Sequence, residues 1–146
     1  MATLAIAVGN PLRRDDGVAH AVLKRLDCES RSYLQLTPEV AEEIAGFDTV
    51  VFIDADACSA EVRIDPVDEE QSSSALSHFS SPAEVVALSK ALFGFAGRAF
   101  LCRIPSADFS CRTGLTRRAK ALATQAAEQL RVSLADGLGR NSALGR

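Results

Sequence analysis

Acidic residues follow two of the apolar runs in the sequence, and they are the first candidates for chemistry. Asp16 comes shortly after the run at residues 4–8, and Asp54 ends the run at residues 49–54. A carboxylate that ends a buried run must be paired, hydrogen-bonded or bound to a cation, because an isolated buried charge is too costly. We therefore interpret Asp54 as functional. Asp16 taken alone is explained equally well by function and by the positive end of a helix dipole.

The sequence contains two histidines, and one of them extends this set to three possible ligands. His78 lies in a serine-rich loop just before a predicted helix, from which it could fold back over the edge of a sheet. His20 lies four residues after Asp16 on the same helical face, where we favour a surface Asp–His pair over a metal site. Asp16, Asp54 and His78 together offer oxygen and nitrogen ligands that suit Ni²⁺, Zn²⁺ or a similar divalent ion with open coordination positions.

Two further acids flank these positions, and each has a simpler structural explanation. We interpret Asp15 as the cap of the helix that Asp16 enters. Asp56 lies two residues after Asp54 and is the second choice there, because we expect it to have left the strand.

The pattern of apolar residues predicts strands that alternate with helices. Strands are predicted at residues 4–8, 32–36, 49–54, 62–67 and 99–104, and helices from residue 16 and at 38–45, 82–93 and 115–134. This alternation indicates an α/β sandwich with a mostly parallel sheet, in a single domain at residues 1–134 with a flexible tail at 135–146. In such sheets ligands bind beyond the carboxyl ends of the strands, which selects the loop after Val8 and the end of the strand at Asp54.

A proline within one strand and the residues at the helix ends refine these predictions. Pro66 places the fourth strand at an edge, since proline cannot donate to a strand ladder. Ser81 and Glu84 form a capping-box pattern at the start of the third helix, and Gly46 is predicted to cap the end of the second.

Composition excludes several classes of function. The 146 residues carry a net charge of −3 and only 5% aromatic side chains, so nucleic acid is not an expected partner. No apolar run reaches the roughly 18 residues that cross a bilayer, and we expect no membrane insertion. The four cysteines form no CxxC pair, so we interpret them as reduced thiols, mostly buried, in a cytoplasmic protein. The sequence motifs of dinucleotide-binding proteins, P-loop enzymes, serine hydrolases and HExxH metalloproteases are missing.

Four segments of the chain resemble successive blocks of the hydrogenase maturation proteases. They are GNPLRRDDG at residues 9–17, LTPEVAEEIAGFDTVVFIDAD at 36–56, SHFSSPAEVVALSKALFG at 77–94 and RIPSADFSCRTGLT at 103–116. The order and spacing of the segments carry the resemblance, which spans most of the chain. Arg14 stands where the family commonly has glycine.

The resemblance implies a three-layer α/β/α fold with a twisted, mainly parallel sheet of about five strands. It also implies an endopeptidase that removes a C-terminal extension from the large-subunit precursor of a [NiFe]-hydrogenase after nickel insertion. By matching position, Asp16, Asp54 and His78 would be the nickel-sensing residues, with both aspartates in the catalytic role. The nickel would arrive with the substrate, so no tightly bound cofactor is expected.

Further expectations complete this interpretation. Gly9, Asn10, Asp15 and Asp56 are candidate substrate-binding positions around the two aspartates, and we expect a monomer. Two alternatives stay open: a nickel-dependent binding or chaperone module that does not cut the large subunit, and a small-molecule metallohydrolase with a permanently bound metal.

Overall fold

The computed structural model describes residues 2–69 and 80–137. Its strands are β1 (Thr3–Val8), β2 (Glu29–Tyr33), β3 (Thr49–Asp56), β4 (Arg63–Pro66) and β5 (Arg98–Pro105). A short 3₁₀ helix (Arg14–Gly17) leads into α1 (Val18–Leu23), and the other helices are α2 (Val40–Ile44), α3 (Pro82–Phe93) and α4 (Arg117–Asp136). Strands and helices alternate, as the sequence predicts, except that β4 follows β3 directly.

The strands form one five-stranded sheet in the order β2-β1-β3-β5-β4. All neighbours are parallel except β4, which is antiparallel to β5 and lies at the edge, as Pro66 predicts. Asp54 of β3 lies opposite Val8 of β1 on one side and Arg103 of β5 on the other. The carboxyl ends of the three central strands therefore lie at one edge of the sheet, where β3 and β5 extend two residues beyond β1.

The core has two halves, one on each face of the sheet. Alternate residues of β1 and β3 pack on α1 and α4, while the residues between them pack on α2 and α3. Because every side chain in the middle of these strands is buried, the strands read as continuous apolar runs. The three-layer α/β/α arrangement with a mostly parallel sheet is confirmed.

One of the two predicted helix caps is present in the structure. Ser81 and Glu84 form the predicted capping box of α3. The predicted cap at Gly46 is wrong, because α2 is capped by Ala45 in an ordinary right-handed conformation.

Element boundaries differ from the prediction in two places that matter for the site. β2 begins at Glu29 rather than at residue 32, because this edge strand is polar and shows no apolar pattern. β3 continues to Asp56, so the prediction that Asp56 has left the strand is wrong.

Two expectations from composition concern the burial of the cysteines and the absence of a membrane-spanning segment. All four cysteines are free, but only Cys102 is buried; Cys28 is half-buried, and Cys58 and Cys111 are exposed. The expectation of mostly buried thiols is therefore wrong. Within residues 2–69 and 80–137, no helix is long and apolar enough to cross a bilayer.

Candidate functional site at the carboxyl edge of the sheet

Asp54 is a half-buried carboxyl group among the carboxyl ends of the central strands. Burial is the main cause that raises the pKa of Asp54 to about 7, and the negative charges of Asp16 and Asp56 raise it further. A hydrogen bond from the backbone of Ala55 and the positive charge of Arg103 act in the opposite direction. The ionised form of Asp54 is thus poorly compensated, as expected of a group that awaits a cation or a proton.

Asp16 reaches the same edge because the chain turns back on itself at Gly9. Gly9 has a φ of 149°, and a Cβ at this position would lie 2.1 Å from the backbone oxygen of Asp16. The backbone N–H of Asn10 donates to Asp16 Oδ2 at 2.7 Å. Within the described ranges, Asp16 Oδ1 accepts no hydrogen bond, so one oxygen of this carboxylate is left for another partner.

Asp15 is held by the other end of the chain. It is only 3% exposed, and its two carboxylate oxygens accept hydrogen bonds from the backbone N–H and the hydroxyl of Thr116, each at 2.9 Å. Thr116 is the N-cap of α4. The prediction that Asp15 caps its own helix is wrong, since the 3₁₀ helix has no side-chain cap. Both oxygens are occupied by this structural contact.

Asp56 and Arg103 form a polar cluster beside Asp54. Asp56 accepts hydrogen bonds from the Ser59 hydroxyl and the Cys58 backbone, which hold the pKa of its carboxyl below the usual value. Arg103 Nε lies 3.8 Å from Asp56 Oδ2, and Arg103 Nη1 lies 3.6 Å from Asp65 Oδ2. Sequence reasoning missed Arg103, although an arginine inside an otherwise apolar strand is a signal for it.

His20 faces the loop after β1 and does not pair with Asp16 in the way the sequence suggested. Its Nε2 lies 2.8 Å from the backbone oxygen of Gly9 and donates to it. The predicted Asp–His surface pair is wrong, because Asp16 lies in the 3₁₀ helix and not one turn before His20 in the same α-helix.

The tight turn that follows contains an unusual arginine. Arg14 has a φ of 46°, a value that favours glycine. Its backbone N–H donates to Arg112 O, and its Nε lies 3.3 Å from Asp108 Oδ2. Contacts with the loop before α4 thus hold an arginine where the family commonly has glycine.

His78, the third predicted ligand, lies outside the described residues. Within residues 2–69 and 80–137, no three histidine, cysteine or acidic side chains form a group that could hold a metal ion. Asp16 and Asp54 nevertheless lie close enough at this edge for the charge of Asp16 to raise the pKa of Asp54.

Thiol chemistry has little support at the buried cysteine of β5. Burial raises the pKa of the Cys102 thiol to about 12, so the thiolate is disfavoured at neutral pH. The two carboxylates are the better candidates for proton transfer at this edge.

The sequence matches no protein-family model and no curated protein. Solved structures are similar over most of the chain. The hydrogenase maturating endopeptidase HybD from E. coli has a TM-score of 0.67 at 19% identity, with 94% of each chain covered. The [NiFe] hydrogenase maturation protease HycI from Thermococcus kodakarensis KOD1 has a TM-score of 0.69 at 19% identity, covering 88% of this chain and 89% of that one. An uncharacterized protein from Wolinella succinogenes is 25% identical, with a TM-score of 0.61 over 94% of this chain and 99% of that one.

At these identities the likeness concerns the fold, and it extends from the first strand to the last helix. Two of these three structures carry the name of the family that the sequence segments resemble. The chain has the fold of the hydrogenase maturation endopeptidases.

Proposed function

We propose that the protein is an endopeptidase that removes the C-terminal extension of a nickel-loaded [NiFe]-hydrogenase large-subunit precursor. The observation that carries the proposal is the meeting of Asp16 and Asp54 at the carboxyl edge of the sheet, in the fold of the hydrogenase maturation endopeptidases. The sequence segments that resemble this family contain both aspartates.

The electrostatics of Asp54 support a role in sensing a cation. Its carboxylate is disfavoured by burial and by the neighbouring acids, and Arg103 is shared with Asp56 and Asp65. A divalent ion would compensate this charge, and Asp16 has an oxygen to offer it. On the resemblance, His78 completes the ligand set, and nickel is part of the substrate rather than a resident cofactor.

The same carboxylates can move the protons that hydrolysis requires. Water attacks the carbonyl carbon of the scissile peptide, loses a proton and displaces the nitrogen, which must gain one. The ionised carboxylate of Asp54 accepts the first proton and returns it to the leaving amine. Nickel held by the precursor polarises the carbonyl or fixes the chain in place, and both routes use the same pair of aspartates.

The proposal is tested by mass spectrometry of a large-subunit precursor after mixing with the protein. The precursor is prepared with and without nickel. We expect a C-terminal peptide to be lost from the nickel-loaded sample alone. A stable nickel-dependent complex with an intact precursor would replace the peptidase with the binding module, and a metal found in the purified protein by elemental analysis would favour the metallohydrolase.

A further inference from the structure

A groove with apolar and polar walls lies beside the 3₁₀ turn that carries Asp16. Its volume is about 640 Å³, within the range of ligand-binding clefts. Its polar wall carries basic side chains and hydroxyl groups from the 3₁₀ turn, from α1 and the residue that follows it, and from β2: Arg14, His20, Lys24, Ser30 and Ser32.

The groove exists because the helices cover β2 on one face only. α1 packs against β1 and β3, which leaves the α1 side of the edge strand open. Side chains alternate along a strand, so Ser30 and Ser32 line the groove while Arg31 and Tyr33 face α2. A short polar pair thus forms the floor of the groove.

The charge of the groove has one sign. None of the residues that line it is acidic, although the chain as a whole carries a net charge of −3. Lys24 is exposed and forms no ion pair with any residue in the described ranges. Arg31 on the opposite face is instead neutralised by Glu29 and Glu43. Arg14 is paired with Asp108, so among the described residues Lys24 carries the uncompensated positive charge on the groove side of β2.

One residue of the groove contacts the loop that holds Asp16. His20, in the groove wall, donates to the oxygen of Gly9, whose Cα packs against Asp16. Lys24 lies one helical turn beyond His20, about 6 Å along the axis of α1. A peptide that extends from Asp16 over the Gly9 loop would reach His20 first and Lys24 next.

We propose that this groove binds the C-terminal carboxylate of the peptide segment that the enzyme removes, through Lys24 and the hydroxyl groups of Ser30 and Ser32. The inference rests on the proposed function and adds the direction in which the peptide lies. The segment downstream of the cut lies along β2, with its C-terminal carboxylate at the basic end of the groove. Charge-assisted hydrogen bonds then give the extension an anchor that does not depend on nickel.

The test is an NMR titration of the ¹⁵N-labelled protein with a synthetic peptide. The peptide has the sequence of the C-terminal extension of a [NiFe]-hydrogenase large-subunit precursor, and it is prepared as the free acid and as the C-terminal amide. Lys24→Ala is compared with Lys120→Ala, which removes another exposed lysine from α4.

We expect the free acid to shift the amide signals of Lys24, Ser30 and Ser32. Amidation of the peptide and Lys24→Ala should each weaken binding by about threefold to tenfold, and Lys120→Ala should leave it unchanged. Equal binding of acid and amide, or shifts that avoid the groove, would overturn the inference. Because this readout needs no cleavage, an inactive enzyme with an occupied groove would contradict the proposed function alone.

Discussion

Asp15 and Asp16 are neighbours in the sequence, yet their surroundings differ completely. Asp15 has both oxygens engaged by Thr116, which is 101 residues away along the chain. Asp16 has one oxygen fixed by Asn10 and the other free of hydrogen bonds from the described residues. The sequence locates both acids next to a helix start, but the partner of Asp15 is set by tertiary packing and no local pattern reveals it.

Alanine substitution should separate these two acids by stability. Asp15→Ala removes two hydrogen bonds and leaves the backbone N–H of Thr116 without its acceptor, so we expect the free energy of unfolding to fall by about 2–3 kcal/mol. Asp16→Ala removes a single partly exposed contact and should change it by less than about 1 kcal/mol. Urea unfolding of both variants provides the measurement. Equal losses in both would contradict the structural assignment of Asp15.

Asp54 should limit stability at neutral pH. Its pKa is raised from 3.8 to about 7 in the folded protein. Between these values the folded state holds a proton that the unfolded chain has lost, so the free energy of unfolding falls as the pH rises and levels off above pH 7.

Asp54→Asn removes this dependence while it abolishes processing. At pH 8 the variant should be more stable than the wild type by about 2 kcal/mol after allowance for partial exposure, and the difference should vanish near pH 4. Chemical unfolding at both pH values checks it. A variant that is less stable at pH 8 would show that the ionised carboxylate is well compensated.

At the scale of the elements, the turn after β1 decides where Asp16 lies. Gly9 allows the backbone to pass against the oxygen of Asp16, and the 3₁₀ helix then presents the carboxylate to the sheet edge. The sequence marks this turn as a break, but not its shape.

A pair of glycine substitutions tests this role. Gly9→Ala places a methyl group against a backbone oxygen at a strained φ, so we expect stability to fall by about 3 kcal/mol and processing to be lost. Gly46 has an ordinary φ, and no atom lies within 4 Å of the point where a methyl group would be added, so Gly46→Ala should be neutral or stabilise by about 0.5 kcal/mol. Urea unfolding of both variants decides the matter. An unchanged Gly9→Ala protein would contradict the close approach.

Patterns predict the elements that are buried on both sides and miss those that are not. β3 and β5 are found within two residues because burial demands continuous apolar runs. β2 is displaced because it is polar and stabilised by pairing with β1. The same limit hides Asp56, whose place in the strand follows from pairing with Pro105 of β5.

At the scale of the whole molecule, the topology assembles the site. Parallel strands place Val8, Asp54 and Arg103 side by side at one edge, although they come from distant parts of the chain. The rule that ligands bind beyond the carboxyl ends of such strands predicts this edge from the order of the elements alone. The contribution of Arg103 and the contact of His20 with Gly9 needed the structure.

The role of His78 depends on the resemblance of the whole chain to the family, because only this resemblance connects it with the two aspartates. If it is the third nickel ligand, His78→Ala should lower the processing of nickel-loaded precursor by about tenfold to a hundredfold. The free energy of unfolding should not change. Parallel processing and urea-unfolding measurements provide the check, with His20→Ala as the control that perturbs the Gly9 contact instead. Full processing by His78→Ala would remove it from the ligand set.

The central claim is that Asp16 and Asp54 act as one site, and a double-mutant cycle tests it most directly. The rate of processing of nickel-loaded precursor is measured for Asp16→Asn, Asp54→Asn and the double variant, with folding checked by urea unfolding. Residues that act as a unit are strongly non-additive, so each single change should cost about a thousandfold or more and the double variant little beyond that. Wild-type rates in either single variant, or losses that multiply in the double variant, would contradict the account.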